Sequence, residues 1–206
     1  YPYLHDKIVV TGVPVSQMYQ PVDAARQRMS RTELDLPQDA RVLLVTGGGN
    51  GAAALNHKIV QASTALFQAV TGLYILHVAG RDLADKTAAD YDQMLNSEQR
   101  QKVSVVGFTT DLHLLSEAAD VVVARGGATN LAEFAIQGKA CLIIPSPQLQ
   151  WNVVNTRVLA EQGAVQMLSE SEAEQGGVLV EALSTLLNDA GKRQKLSENI
   201  NKFAEP

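Results

Sequence analysis

An open α/β fold, built on a doubly wound parallel sheet of about six strands, is the architecture this sequence predicts. Three observations predict it. Apolar runs, most of them continuous, recur at residues 42–45, 73–78, 103–106, 121–123 and 142–144, with a weaker sixth at 165–168. The segments between them carry apolar residues at helical spacing. Glycine-rich turns at 47–51 and 125–127 directly follow the first and fourth runs. Unbroken apolar strands, as opposed to alternating ones, belong to sheets covered on both faces. A strand, turn, helix and strand in succession form a βαβ unit, whose strands are parallel. The fold is therefore Rossmann-like, and its default strand order is 3-2-1-4-5-6. That order sets strands 1 and 4 side by side, with both glycine turns at one crevice.

Taken in order, the chain starts with a short apolar run at 8–10 followed by Gly12-Val13-Pro14-Val15, which reads as a strand or linker. Pro21 opens a short helix over 21–34, and Pro37 and Asp39 mark a turn. Residues 1–38 thus read as a linker segment with a short helix, and 39–206 as the main domain. Helices follow at 52–70, 83–96, 112–118, 130–138, 150–162, 178–187 and 192–203. In the first of these, Leu55, Ile59, Ala62, Leu66 and Val70 share one face. Gly138 and Gly163 end two others.

Composition bounds the function. The 206 residues are 46% hydrophobic, enough for one sizeable core or two small ones. A formal net charge of -5 argues against neutralising nucleic-acid phosphates. One cysteine, Cys141 in an apolar strand, excludes disulfides and zinc clusters and reads as a small hydrophobe. No apolar run approaches the roughly 20 residues of a membrane span. No signal peptide is expected, and a chain starting at Tyr1 is expected to be a piece of something longer.

The loop Gly47-Gly48-Gly49-Asn50-Gly51-Ala52 opens a helix straight after a strand. Glycines let a ligand approach the backbone, and a helix start offers free N–H groups at a positive dipole end, so a phosphate or pyrophosphate is the natural guest. The same spacing fits G-x-G-x-x-A, a dinucleotide fingerprint. That fingerprint needs an acid at the end of the second strand, and the first one there, Asp82, stands too far along. A nicotinamide-dinucleotide domain is thus the alternative reading.

Two readings of Glu133 stand. With Asn130 as N-cap it completes a capping box; facing the crevice, it accepts two hydrogen bonds from a ribose diol. Phe108, after the third strand, is either a core aromatic or a ring that covers a base. Thr110 and Asp111 cap the helix that follows. Arg125 binds phosphate or pairs with an acid. Gln148, Gln150, Asn152 and Asn155 surround Trp151, and their amides suit sugar hydroxyls or ordinary capping. His5, His57, His77 and His113 show no metal spacing, so no metal or other cofactor is expected.

These residues together resemble a family. From about residue 8 to 190 the chain is similar to the C-terminal, donor-binding half of GT-B glycosyltransferases of family 28. The nearest likeness is to those that transfer N-acetylglucosamine in peptidoglycan lipid II synthesis. The family's G-x-P-V run appears as Gly12-Val13-Pro14-Val15, and its G-G-S-Q-G-A loop as Gly47-Gly48-Gly49-Asn50-Gly51-Ala52. A Phe after the third strand, an A-D-V-V-V strand and the R-S-G-A-x-T-x-x-E turn match Phe108, residues 119–123 and Arg125-Gly126-Gly127-Ala128-Thr129-Asn130-Leu131-Ala132-Glu133. A proline-ended strand and an amide-rich segment follow in both.

The resemblance implies a UDP-sugar donor and an inverting transfer. Glu133 would hold the ribose hydroxyls, Phe108 would cap the uracil and the Thr109 backbone would bond the base. Gly48, Gly49, Asn50 and Gly51, with Arg125, Gly127, Ala128 and Thr129, would line the pyrophosphate site. Gln150 or Asn152 would reach the sugar. Gly49 stands where the family has serine and Ser16 where it has arginine, so two phosphate-side contacts are lost or replaced. A diacylglycerol glycosyltransferase of the same family is therefore a second possibility. The expected partners are a lipid-linked acceptor and an N-terminal acceptor-binding domain or partner chain, which would supply the catalytic base. A non-catalytic sugar-nucleotide-binding subunit is the remaining alternative. The expected location is the cytoplasm, at the inner face of the cell membrane.

Overall fold

A computed structural model describes residues 12–48, 51–175 and 177–204. Six strands form one parallel sheet: β1 (Arg41–Thr46), β2 (Leu73–Val78), β3 (Val103–Val106), β4 (Val121–Ala124), β5 (Cys141–Ile143) and β6 (Gln166–Met167). Their spatial order is β3-β2-β1-β4-β5-β6. The expected switch point is therefore present: β1 pairs with β2 on one side and with β4 on the other, Leu44 standing opposite Val122.

Helices cover both faces, and the period of two along each strand divides the core between them. Leu43, Val45, Ile75, Val123 and Leu142 point to one face. There they meet α2 (Ala53–Ala69), α3 (Ala84–Met94) and α9 (Val178–Asn188), through Leu55, Tyr91 and Leu183 among others. Val42, Leu44, Val122, Cys141 and Ile143 point to the other face. They meet α5 (Leu112–Ala118), α6 (Ala128–Ile136), α7 (Gln150–Glu161) and α10 (Ala190–Ile200), whose Phe134, Leu159 and Ile200 are buried. Cys141 is fully buried, as expected of a small hydrophobe, and burial pushes its thiol up to about 12.

Several boundaries differ from expectation, each for a local reason. The helix α1 (Ala24–Glu33) starts after Pro21, because the Asp23 side chain caps it by accepting from the Arg26 N–H. The helix expected over 83–96 is α3, which ends at Met94; beyond it Asn96 with Gln99 forms a capping box for an unpredicted single turn, α4 (Ser97–Arg100). A second capping box, Ser169 with Glu172, opens the unpredicted α8 (Glu170–Glu174). The last helix starts at Ala190 because Asp189 caps it, and it ends in a 3-10 turn, Asn201–Phe203. Asp111 occupies the cap position of α5, but its side chain makes no capping bond. The apolar run at 8–10 lies outside the described residues.

One correction bears on the site. The helix α6 begins at Ala128, with Gly127 as its cap, two residues earlier than expected. Asn130 is thus inside the helix and cannot be its N-cap. The capping-box reading of Asn130 and Glu133 fails; instead the Asn130 amide donates to Glu133 Oε2 at 3.2 Å, within the first helical turns.

Candidate functional site

The C-terminal ends of β1 and β4 open into a cleft made of two adjoining hollows of about 360 and 330 Å³. Gly48 and Asn130 line both. The first hollow lies among Gly47, Gly51, Arg125, Gly127, Ser146 and Asn152. The second is walled by Thr46, Phe108, Thr109, Thr129 and Glu133, with Tyr19 and His113 completing it.

Three helices start at this cleft, and none has a side-chain cap. Ala52 precedes α2, Gly127 precedes α6 and Leu149 precedes α7. Elsewhere α1, α4, α8 and α10 are capped by Asp23, Asn96, Ser169 and Asp189, while α3, α5 and α9 also lack a side-chain cap. The first N–H groups of a helix have no partner within it, and uncapped they carry partial positive charge. Three such ends around one hollow make an anion site.

Gly51 has to be glycine for two reasons. Its φ is +73°, and a Cβ there would run into the carbonyl oxygen of Ala79. That carbonyl is held from behind. Asn56 Nδ2 donates to it at 2.8 Å, while Asn56 Oδ1 lies 3.1 Å from His77 Nε2. His77 Nδ1 lies 3.0 Å from the Tyr91 hydroxyl. An amide oxygen only accepts, so Nε2 carries the imidazole proton and Nδ1 accepts from the phenol. Burial lowers His77 to about 3, which keeps the ring neutral and this chain of bonds intact. The four scattered histidines thus include one that braces the glycine loop from α2 and β2. No sequence signal reveals this, because the three partners come from three separate elements.

The structure brings most of the expected residues together. Gly48, Gly51, Arg125, Gly127 and Asn152 line the first hollow; Phe108, Thr109, Thr129 and Glu133 line the second. Ala128 is the first residue of α6 at the cleft edge. Gly49 and Asn50 lie outside the described residues. Gln150 opens α7 but does not line the cleft, and Gln148 is engaged by the Ser146 hydroxyl at 2.6 Å. The apolar Leu149 lines the hollow beside Asn152, while Trp151 is 77% exposed at its rim.

Phe108 is not a core aromatic: it is 47% exposed, and the Arg81 guanidinium sits 4.0 Å from its ring centroid. Arg125 pairs with Glu170 of α8 at 2.6 Å, and its Nη1 is buried without a partner among the described residues. Glu133 is half-buried, and burial raises its pKa; hydrogen bonding from Tyr19 and Asn130 opposes that rise. Tyr19, His113, Ser146 and Leu149 were not singled out by sequence reasoning. None stands in a motif, and Tyr19 reaches the cleft only because α1 folds back against α5.

The sheet order and the switch-point cleft define a Rossmann-like domain. Residues 42–205 match the family model of the glycosyltransferase family 28 C-terminal domain. The chain belongs to that family. It is 32% identical over 203 residues to the UDP-N-acetylglucosamine–N-acetylmuramyl-(pentapeptide) pyrophosphoryl-undecaprenol N-acetylglucosamine transferase of Bacillus licheniformis; the alignment covers 98% of this chain and 53% of the relative. Its fold matches a crystal structure of Acinetobacter baumannii MurG with a TM-score of 0.71 at 22% identity, over 98% of this chain and 55% of that one. A structure of Anabaena HepE in complex with UDP and glucose matches with a TM-score of 0.66 at 16% identity, over 96% of this chain and 51% of that one. The chain spans about half the length of the curated relatives it matches.

Proposed function

We propose that this chain is the donor-binding half of a glycosyltransferase that moves N-acetylglucosamine from a UDP-sugar to a lipid-linked acceptor. The observation that carries this reading is the meeting of three uncapped helix starts beside one half-buried carboxylate, Glu133. The helix starts take the diphosphate, and Glu133 takes the ribose diol. Phe108 and the Thr109 backbone receive the uracil, and Asn152, which lines the first hollow as Gln150 does not, stands at the sugar end. As the glycosidic phosphate leaves, negative charge grows on the diphosphate, where α2, α6 and α7 direct their N–H groups. The base that deprotonates the acceptor belongs to an N-terminal half, which residues 1–38 link to the donor domain at 39–206. The Bacillus licheniformis relative carries this substrate class in its name. A nicotinamide dinucleotide fits less well, because Ala79, Gly80 and Arg81 follow β2 where its ribose needs an acid. No helix among the described residues is long and apolar enough to cross a membrane. In this reading the lipid-linked acceptor is met by peripheral contact at the inner face of the cell membrane.

Calorimetric titration with UDP, UDP-N-acetylglucosamine and NAD tests this reading. Wild type binds UDP, and Glu133→Ala weakens it by about 1–3 kcal/mol, the scale of a lost hydrogen bond to a charged group. Binding of NAD with no response to UDP would overturn the proposal.

A further inference from the structure

Two arginine side chains are nearly buried at opposite ends of the sheet, and the protein partners them differently. Arg31, near the N-terminal ends of β1 and β4, donates from Nε to the Ala118 carbonyl at 3.1 Å, from Nη1 to the Gln38 carbonyl at 2.8 Å and from Nη2 to Asp120 at 2.9 Å. Arg125 follows β4 and lines the first hollow. Its Nη2 lies 2.6 Å from Glu170 Oε1, and its Nη1 is buried without a partner among the described residues. Glu170 does not line that hollow, so the pair presents its cation there and keeps its anion away.

Glu170 is the first residue of α8, and α8 is pinned along its length. Ahead of it, the Leu168 N–H donates to the Ile143 carbonyl at 3.0 Å and ties the segment to β5. The capping box closes from both sides: the Ser169 N–H donates to Glu172 Oε2 at 2.8 Å, and the Glu172 N–H donates to Ser169 Oγ at 3.2 Å. Ala173 is buried in the core. At the far end, Glu174 meets the nearly buried Lys58 of α2 at 2.6 Å. So short a helix does not persist in water by itself. These tethers make it a fixed mount for the Glu170 carboxylate.

We infer that Glu170 is a positioning residue for the donor's diphosphate: it holds Arg125 at the wall of the first hollow, so that α8 takes part in reading the phosphates. This rests on the function proposed above. A guanidinium without a counter-ion is costly to keep out of water, and without Glu170 the side chain turns towards solvent. Its planar fork recognises phosphate only in a fixed orientation. Glu170 engages Nη2 and leaves Nη1 unclaimed by the described protein, a donor for a phosphate oxygen. Charge alone makes the opposite prediction. A carboxylate near an anion site repels the anion, and removing it would tighten binding. Position and charge therefore give opposite signs, and the sign of the effect separates them.

The experiment titrates UDP and uridine into wild type, Glu170→Gln, Arg125→Gln and the double variant. Wild type binds UDP far more tightly than uridine. Glu170→Gln weakens UDP about tenfold, the low end for a hydrogen bond to a charged group, and leaves uridine unchanged. Arg125→Gln weakens UDP at least as much, and the double variant is no weaker than Arg125→Gln, because Glu170 acts through Arg125. A merely structural role for Glu170 would lower thermal stability without moving the ratio of UDP to uridine affinity. If Glu170→Gln does not fold, Glu170→Asp carries the test: it keeps the charge at a shorter reach and weakens UDP in the same direction. If the substitution at Glu170 leaves UDP unchanged or tightens it, or if its loss adds in full to that of Arg125→Gln, the inference fails. The proposed function then stands as long as Glu133→Ala weakens UDP. If wild type does not bind UDP, both fail.

Discussion

The two ends of the sheet pose the same physical problem and answer it in opposite ways. At the N-terminal edge, charged groups are sealed in and paired with one another. Arg31 and Asp120 meet at 2.9 Å, both nearly buried, and Asp120 also accepts the Val42 N–H at 2.8 Å. Glu117 accepts from Arg26 and from Ser30, each at 2.7 Å, and its carbonyl receives Lys139 at 3.3 Å. At the C-terminal edge, the donors are left open: three helices start without caps, and one guanidinium nitrogen is buried without a partner among the described residues. Buried polar groups are normally satisfied within the protein. Where one end of a sheet obeys that rule with its own side chains and the other does not, the second end is the one shaped for a ligand.

The largest effect expected from this contrast is at the closed end. Asp120→Ala leaves Arg31 buried without its carboxylate and the Val42 N–H without its acceptor. Breaking a buried pair from one side costs about 3–5 kcal/mol. Chemical denaturation should show a loss on that scale, while the folded fraction binds UDP as wild type does. A loss under 1 kcal/mol would make the N-terminal cluster ornamental. The next effect falls at the open end. Gly51→Ala places a methyl against the Ala79 carbonyl at a φ of +73°. Strain of this kind costs about 1–3 kcal/mol, and the glycine loop must move to relieve it. UDP affinity should fall more than stability does, the reverse of Asp120→Ala. Equal losses in both would show that the loop and the core are not separable.

The sequence reveals the closed, apolar parts of this molecule better than the open ones. Strands β1, β4 and β5 announce themselves because each carries an unbroken apolar run buried on two faces; β2 and the edge strand β3 are legible in spite of His77 and the exposed Ser104, and the order follows from the default topology. The glycine loop and the 125–133 turn are legible because few backbones other than a ligand-holding one need such glycines. Asn130 misleads because it is a good cap residue that here sits inside a helix capped by Gly127. Helix α8 is missed although Ser169 and Glu172 carry the capping-box pattern; five residues offer no apolar period to go with it. Contacts between distant segments leave no local trace at all. The bracing of Gly51 by Asn56, His77 and Tyr91 is of this kind, and so are the approach of Tyr19 to Glu133 and the pairing of Arg125 with Glu170.

A smaller effect sharpens the comparison through pH. Lys139 belongs to the closed end, and burial lowers its pKa from the ordinary 10.5 to about 8, with Asp120 and Glu117 resisting the shift. The sign follows from proton counting. Between about 8 and 10.5 the unfolded chain holds a proton on this lysine that the folded chain has released. Stability therefore rises with pH in that window, by at most about 1.4 kcal/mol per unit. Tyr19 and Tyr91 act the other way from pH 10 upward, since burial raises both phenols and the unfolded chain ionises them first. From pH 8 to 9 Lys139 alone adds about 1 kcal/mol, and Cys141, whose buried thiol stays protonated while that of the unfolded chain ionises, opposes it; the Lys139 contribution is the difference between wild type and Lys139→Met over that interval. Lys139→Met fills the same volume without a charge and should show no such gain. UDP affinity, read over the same interval, should be indifferent to Lys139, because the lysine stands at the opposite edge of the sheet from the cleft. A rise in stability that persists in Lys139→Met would assign the titration elsewhere, whereas a fall is the expected trace of Cys141. A UDP response to the substitution would mean that the two ends of the sheet communicate through β4 and β5.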